Sequence, residues 1–383
     1  MLITIFIFII ILGLLVFVHE AGHFFAAKNS GMKVDEFGFG FPPRIVGLQK
    51  VNGKMKIILG HPSPDTIGTG QANSQQLSDS TIYSINAIPL GGFVKIVGEN
   101  NDAEDNPQSF VNKPFSRRLL TLVAGVLMNV VLAWFLISLG YIVGLPVAVD
   151  TPANLPPHAR LAEPRAVVVE VQADSPAAKA GLQQSDIILS IDGKAVNSVL
   201  DVQSYVVAHK GNVLNFEVKR INEIKKIEVR SLKDPPAGQG PTGIALATFG
   251  KLTFPWYGAV VEGAKTTGQQ LKAIVVGLYQ VFASGQGLKS LGGPVKIAKI
   301  TGQVADLGVS YLIQFTAFLS LNLAILNILP FPALDGGRVL FLIIEKVRGK
   351  RNNQKVEQFA NTIGFVLLLL LMVVVTFRDI KGF

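Results

Sequence analysis

The first apolar run of the chain, Leu2 to Ala27, is interrupted by three ionisable residues, His19, Glu20 and His23. An ionisable side chain at membrane depth costs several kcal/mol unless it is paired or bound to another group. If the run is a helix, the two histidines lie one turn apart on one face and can reach the same metal ion. Glu20 then lies beside them, where it can act as general base towards water. The five residues 19–23 match the HExxH signature of zinc hydrolases, and the apolar surroundings disfavour a chance match.

Composition places this run in a membrane protein. Of the 383 residues, 49% are hydrophobic, and several apolar runs approach the roughly 20 residues that a membrane-spanning helix needs. The chain has no cysteine, so disulfides and thiolate metal sites are excluded, and a metal must be held by His, Asp or Glu. The net charge of +9 is attributed to cytoplasmic loops that face anionic lipid, because no nucleic-acid-binding motif is present. Membrane lipid is therefore an expected partner, and nucleic acid is not.

We expect a polytopic α-helical membrane protein with about four transmembrane helices, a membrane-associated β segment and an inserted α+β domain. The predicted segments, in chain order, are 1–28, the first transmembrane helix with the HExxH motif; 29–118, a cytoplasmic-side loop with the β segment; 119–144, the second transmembrane helix; 145–164, a linker; 165–247, the inserted domain; 248–308, an amphipathic interfacial segment; 309–338, the third transmembrane helix; 339–360, a basic cytoplasmic segment; and 361–378, the fourth transmembrane helix.

Basic residues predict the orientation of these helices. No Lys or Arg precedes the first helix, whereas Lys28 and Lys33 follow it. Arg117 and Arg118 precede the second helix, and a basic cluster occupies residues 348–355. By the positive-inside rule, these segments are cytoplasmic. The two termini and the inserted domain are then expected on the outer side.

Asp335 is a second costly polar residue beside an apolar segment. It lies between Pro332 and the pair Gly336-Gly337, a composition that predicts irregular backbone near membrane depth. With four spans, Asp335 and the HExxH motif reach the same side of the membrane. Two histidines and one carboxylate, with a fourth position open for water, form the usual catalytic zinc site. A capping or turn role is the alternative for Asp335, because Asp-Gly is common in turns.

Asn129 is the lone amide in the second predicted helix. Its side chain is expected either to form a hydrogen bond between packed helices or to take part in the site. Of these two roles, the packing role is the one that the sequence favours.

Several motifs of the chain occur together in one known family. They are His19–His23 (HEAGH), Gly38–Gly40 (GFG), Ile88–Lys95 (IPLGGFVK), Val123–Asn129 (VAGVLMN) and Asn327–Gly336 (NILPFPALDG). Together they resemble the site-2 protease family of intramembrane zinc metalloproteases, in its bacterial, RseP-like branch. Residues 165–246 resemble a PDZ domain, through the runs Ser175–Leu182 (SPAAKAGL) and Asp186–Leu189 (DIIL).

The resemblance implies roles for particular residues. His19, His23 and Asp335 would bind Zn²⁺, and Glu20 would activate water. Asn322 and Asn327 match asparagines that help to hold the substrate backbone. Either the segment around Gly38 and Gly40 or the strands at about 81–97 would pair with the unwound substrate by strand addition.

The resemblance also implies a setting. The substrate would be a single-pass transmembrane protein, such as an anti-sigma factor, that a site-1 protease has already cut outside. The protein would lie in the bacterial cytoplasmic (inner) membrane, with its termini and PDZ domain extracytoplasmic. The chain departs from RseP in having one PDZ domain instead of two, and the loop at 61–80 looks like an insertion.

Two other functions compete with proteolysis. The first is a non-catalytic membrane scaffold that binds partners through the PDZ domain, and the presence of Glu20 argues against it. The second is a transporter that uses the intramembrane polar residues as an ion path. A transporter predicts inverted repeats, and the sequence shows none.

Overall fold

The computed structural model describes residues 2–60, 80–99, 105–149, 155–220, 223–236, 239–284 and 292–381. The chain forms two compact units, one of residues 1–136 and 264–383 and the other of residues 137–263. Its described α-helices are α1 (Leu2–Asn29), α2 (Phe115–Val143), α3 (Pro176–Ala180), α4 (Val199–Ala208), α5 (Trp256–Ser284), α6 (Pro294–Leu307), α7 (Val309–Ile328), α8 (Asp335–Arg348) and α9 (Gln354–Lys381). Most of the loop predicted at 61–80 lies outside the described residues.

Four of the described helices, α1, α2, α7 and α9, are long and apolar enough to cross a membrane. The number predicted from the sequence is therefore confirmed. α1 contains no proline, and Gly31, with φ at +67°, follows its last turn in the left-handed conformation. The fourth helix begins at Gln354, seven residues before the predicted start at 361.

The third predicted span, 309–338, is two helices instead of one. α7 ends at Ile328, because Pro330 and Pro332 cannot continue its hydrogen-bond pattern. The chain then turns through six residues, and Asp335 is the first residue of α8. α8 also takes up much of the predicted basic segment 339–360 and ends at Gly349, which is left-handed. The break places Asp335 at a helix start, where its side chain can face another element.

The first unit contains an antiparallel sheet of β1 (Val34–Val51), β2 (Lys54–Leu59) and β3 (Ile82–Ile96), in the order β2-β1-β3. The predicted hairpin at Asn52-Gly53 joins β1 and β2. β3 folds back near Gly91, so residues 34–41 of β1 pair with residues 82–88 on one side and with 92–96 on the other. Large apolar side chains remain exposed on this sheet, including those of Met55, Ile57, Leu59, Tyr83 and Ile85. This surface supports the predicted membrane association of the segment.

The helices α1 and α2 cross at a glycine. A Cβ at Gly22 would overlap the backbone carbonyl of Ala124, so the two backbones approach too closely for any other residue. One turn further along α1, Phe24 and Ala27 pack with Leu122 of α2 in a buried apolar cluster. This crossing fixes the face of α1 that carries the histidines against α2.

The second unit is a sheet of β4 (Leu145–Val149), β5 (Arg160–Val171), β6 (Ile187–Ile191), β7 (Lys194–Ala195), β8 (Val213–Arg220), β9 (Glu223–Arg230) and β10 (Ile244–Thr253). Its strand order is β4-β10-β5-β6-β8-β9, and β7 pairs with β6. The core is fully buried at Phe216, Ile191 and Val229.

Helix α4 begins with a capping box between Ser198 and Asp201. The backbone N–H groups of Asn197 and Ser198 donate to the Asp201 carboxylate and hold its pKa below the ordinary value.

The linker predicted at 145–164 is wrong, because both of its ends are strands of this sheet. β4 pairs with β10 from Leu145 to Val149, and β5 begins at Arg160. Two of the prolines that suggested a linker occupy positions where a strand tolerates them. Pro146 lies on the edge strand β4, and Pro164 lies beside a register shift between β5 and β10.

The amphipathic segment predicted at 248–308 consists of the end of a strand and two separate helices. β10 extends to Thr253, α5 follows from Trp256, and α6 begins at Pro294 after residues that lie outside the described ranges. The interfacial position of α5 stays a prediction. Its exposed Trp256 and Tyr257 are side chains that favour a membrane–water boundary.

The buried ion pair of the second unit gives a test of its stability. Asp186 is fully buried, accepts two hydrogen bonds from Arg220 at 2.7 Å each, and accepts one from the backbone of Gln183 at 2.9 Å. Asp186→Asn removes the charge that faces the guanidinium and is expected to cost about 2 kcal/mol of unfolding free energy. Temperature-dependent proteolysis of the full-length protein, with cleavage mapped to residues 137–263, measures this loss.

Glu163→Gln is the matched control, since it makes the same chemical change in an exposed pair with Arg165 and Lys251. Its expected effect is below ~0.5 kcal/mol. An equal effect of the two substitutions would contradict the structural role of Asp186.

Candidate metal centre

Three side chains from two helices converge in the first unit. The Nε2 atoms of His19 and His23 lie 3.2 Å apart, on successive turns of α1. Oδ2 of Asp335, from the start of α8, lies 2.9 Å from Nε2 of His19 and 3.3 Å from Nε2 of His23. Both histidines are buried. The sequence therefore predicted three residues that the structure brings into one group.

The donor set fits zinc. Ligands that each lie ~2.1 Å from zinc in a tetrahedron are roughly 3.4 Å apart, close to the separations of these three atoms. Oδ2 of Asp335 is buried and forms no hydrogen bond with the described residues, although Nε2 of His19 lies 2.9 Å away, and a cation shared by these atoms would supply the missing partner. Among the described residues, these three form a group of His and carboxylate side chains able to hold a metal ion.

Gly125 of α2 leaves the space in front of the histidines open. A Cβ at this position would overlap Nε2 of His23 and would lie 2.8 Å from Nε2 of His19. Any larger residue would therefore intrude on the atoms that face the metal.

The turn between α7 and α8 brings Asp335 back to α1. Ala333 is left-handed, with φ at +74°, and its backbone N–H donates to Oδ1 of Asn361 on α9 at 3.1 Å. A Cβ at Gly336 would overlap the carbonyls of Ile328 and Leu329. The Asp-Gly-Gly sequence is thus needed because α8 starts directly against the end of α7.

The second nitrogen of each imidazole faces α2. Nδ1 of His23 lies 2.7 Å from the backbone carbonyl of Thr121, which can only accept, so this nitrogen carries a hydrogen and leaves Nε2 free for a metal. Nδ1 of His19 lies 3.2 Å from the side-chain amide of Asn129. Asn129, for which the sequence favoured a packing role, therefore contacts a candidate ligand.

Glu20 is half-buried and lies next to the folded-back part of β3. A Cβ at Gly92 would be 3.6 Å from Cγ of Glu20 and 3.4 Å from Cα of Phe17. A peptide lying along this end of β3 would therefore be close to the carboxylate. The Gly91-Gly92 pair permits the approach, since a Cβ at Gly91 would meet the side chain of Val16 at 2.6 Å.

The two asparagines of α7 differ in position. Nδ2 of Asn327 lies 3.3 Å from Nε2 of His19, at the edge of the metal centre. The side chain of Asn322 donates to the carbonyl of Phe318 at 2.8 Å, within its own helix. The structure thus places Asn327, and not Asn322, in contact with a candidate ligand.

Gly38 lies inside the sheet instead of at an edge, and the carbonyl of Gly40 accepts a hydrogen bond from the side-chain amide of Asn86 at 2.9 Å. Gly38 pairs with Ser84 on one side and with Phe93 on the other, so both neighbouring positions are occupied. A Cβ on Gly38 would lie 2.5 Å from Oγ of Ser84, which explains the glycine. Among the described residues, 92–96 of β3 pair on one side only. Of the two segments expected to receive substrate, β3 is therefore the one with a free edge.

Comparison with known proteins finds relatives that match almost the whole chain. The family model described as peptidase family M50 matches residues 7–60 and 64–371. The regulator of sigma-W protease RasP of Bacillus subtilis is 32% identical over 99% of this chain and 98% of its own. The zinc metalloprotease RasP of Geobacillus kaustophilus is 29% identical over 98% and 97%. A crystal structure of the PDZ domain of the SdrC-like protein from Listeria monocytogenes covers 21% of this chain and 85% of its own, at 27% identity and a TM-score of 0.20.

Gly125→Ala tests the geometry of the centre. The added methyl group would occupy the space between the two imidazoles, so zinc affinity is expected to fall at least ~10-fold, as for the loss of an outer-shell partner. Competition with a chromophoric chelator measures the affinity. Gly268→Ala in α5 is the control, because a Cβ there meets nothing within 4 Å. Unchanged zinc affinity in Gly125→Ala would place the metal elsewhere.

Proposed function

Since this chain belongs to peptidase family M50 and is a zinc metalloprotease of the site-2 type, we propose that it cuts a peptide bond within the membrane-spanning segment of a single-pass membrane protein. The observation that carries the proposal is the position of the three candidate ligands. Two of them lie inside α1, a helix long and apolar enough to cross a membrane. A hydrolytic centre at that depth acts on membrane-embedded chains.

His19, His23 and Asp335 are the residues that would hold the zinc ion. Zinc bound there supplies a Lewis acid that polarises the scissile carbonyl and makes water a stronger acid. Glu20 takes the proton of the attacking water as its oxygen bonds to the carbonyl carbon. The same carboxyl group then gives that proton to the amide nitrogen as the carbon–nitrogen bond breaks. The products are a carboxylic acid and an amine, and Glu20 returns to its ionised form.

The substrate must be extended before this step, because the hydrogen bonds of a helix shield each peptide bond. Among the described residues, 92–96 of β3 have a strand on one side only, and Gly92 lies beside Glu20, so this segment is suited to pair with an extended chain. Asn327 is close enough to His19 to contact the substrate backbone near the scissile bond. This proposal moves the pairing site from Gly38 and Gly40 to the edge of β3 and favours Asn327 over Asn322.

The setting of the reaction is also proposed. The metal end of α1 would face the cytoplasm of a bacterial cell, with both termini outside. The basic residues Lys28, Lys33, Arg117 and those of 348–355 support this orientation. The second unit is assigned as an extracytoplasmic PDZ domain on its sequence motifs. The name of the Bacillus subtilis relative suggests a substrate of the anti-sigma type. Such a substrate would be cut first on the outer side by a site-1 protease.

Glu20→Gln separates catalysis from metal binding. The substitution keeps the shape of the side chain and removes the base, so cleavage of a model single-span substrate should fall at least ~10²-fold. Zinc content, measured on the same samples, should equal that of the wild type. Loss of zinc together with activity would contradict the assigned role. If neither protein held zinc nor cut any single-span substrate, a scaffold function would replace the proteolytic one.

The absence of cysteine allows the pairing edge to be mapped by cross-linking. Single cysteines at Phe93, Val94 and Lys95, in a Glu20→Gln background that retains substrate, should form disulfides with cysteines near the scissile bond. Because side chains alternate along a strand, reactive substrate positions should recur every second residue. The measurement is the yield of the cross-linked band for each cysteine pair.

A cysteine at Ile57 of β2 is the control, since β2 forms the other edge of the same sheet. It should give little product. Equal yields at the two edges, or no alternation along the substrate, would contradict pairing with β3.

A further inference from the structure

Asn129 occupies a position that packing alone does not require. Its side chain is fully buried, and its amide group lies 3.2 Å from Nδ1 of His19. The atom assigned as Oδ1 is also buried and has no hydrogen-bond partner among the described residues. A buried amide oxygen without a donor costs free energy, so such an atom usually has a function.

We propose that the side-chain oxygen of Asn129 accepts the hydrogen bond from Nδ1–H of His19 and thereby orients this ligand for zinc. The inference rests on the metal site proposed above. It makes Asn129 a positioning residue that acts through His19 and does not itself touch the metal or the substrate.

The tautomer of His19 requires an acceptor at this place. Nε2 of His19 faces Asp335 at 2.9 Å, so this nitrogen is the one that binds a metal and must carry a lone pair. The hydrogen of the neutral ring is then on Nδ1. With the amide nitrogen towards Nδ1, two donors would oppose each other. Half a turn of the side-chain amide brings the oxygen to face Nδ1–H, and no hydrogen bond of the described residues holds the unpaired oxygen in place against this rotation.

His23 shows the same arrangement with a backbone acceptor. Its Nδ1 lies 2.7 Å from the carbonyl of Thr121, which also belongs to α2. One helix thus faces the outer nitrogen of both ligands. At His23 the acceptor is the backbone carbonyl of Thr121, which any residue type would provide. At His19 the acceptor is the side chain of Asn129, so it depends on the residue at this position.

The backbone of Asn129 is itself held in place. Oγ of Ser320, on α7, donates to the carbonyl of Asn129 at 2.7 Å, and both residues are fully buried. The amide therefore sits at a fixed point between α1 and α7. A fixed acceptor restricts the rotation of the His19 ring, which is the property that an outer-shell partner supplies to a metal site.

The test compares an apolar and an acceptor replacement in the full-length protein. Asn129→Leu fills a similar volume without an acceptor, and Asn129→Asp keeps an oxygen that accepts from Nδ1–H. Zinc dissociation constants are measured by chelator competition, and the visible absorption of the cobalt-loaded proteins reports ligand geometry. Zinc affinity should fall ~10- to 100-fold in Asn129→Leu and stay close to wild type in Asn129→Asp. The cobalt spectrum should change in Asn129→Leu alone.

Thr316→Val is the matched control, because it removes a buried hydroxyl that donates to the carbonyl of Leu312 within α7 and leaves Asn129 and Ser320 unchanged. It should keep the zinc affinity and the cobalt spectrum of the wild type. Thermal unfolding of the metal-free proteins should not distinguish Asn129→Leu from wild type, since an apolar residue suits an apolar crossing.

Wild-type affinity in Asn129→Leu would overturn the inference. Equal losses in Asn129→Leu and Asn129→Asp would overturn it too, because the amide shape and not an acceptor would then matter. His19→Ala separates this failure from failure of the proposed function. If His19→Ala weakens zinc binding and Asn129→Leu does not, the metal site stands and the positioning role fails. If His19→Ala has no effect, the metal site itself is wrong.

Discussion

The close crossing of α1 and α2 is the contact on which the metal centre depends. At Gly22 the two backbones are in contact. At Gly125, α2 has no side chain, which leaves space in front of the histidines. The same helix presents the carbonyl of Thr121 and the amide of Asn129 to the outer nitrogens of the two rings. A shift of one helix along the other would therefore disturb the ligands, the space for the metal and the groups that orient the rings.

The third ligand is delivered by a break instead of a continuous helix. α7 must stop at Ile328 so that Asp335 can begin α8 and face α1. Pro330 and Pro332 end the first helix, and Gly336 allows the second to start against its last carbonyls. Irregular backbone leaves N–H and C=O groups that must find partners outside a helix. The amide of Asn361 satisfies one of the freed backbone groups.

The sequence predicted those parts of the site that depend on local spacing. The geometry of an i, i+4 histidine pair and of an Asp-Gly-Gly break is determined by the neighbouring residues in the sequence. His19, His23 and Asp335 could therefore be assigned before the fold was known. The contact between Asn129 and His19 joins residues 110 positions apart, and no local pattern reports it. The fold-back of β3 was hidden for the same reason, since an alternating pattern does not say which strand lies next to which. The false linker at 145–164 arose because proline at a strand edge and proline in a linker look alike in sequence.

The one-sided pairing of residues 92–96 has a consequence for hydration. In hydrocarbon, backbone N–H and C=O groups without partners cost several kcal/mol each, so an open strand edge cannot face lipid tails. If the edge lies at membrane depth, as the proposed function requires, it must be wetted when no peptide lies along it. The groups that align a peptide would thus keep water beside Glu20 between turnovers, and an arriving chain would displace that water along its length. The same small hydrated volume would thus solvate the empty strand edge in the resting enzyme and supply the water for hydrolysis.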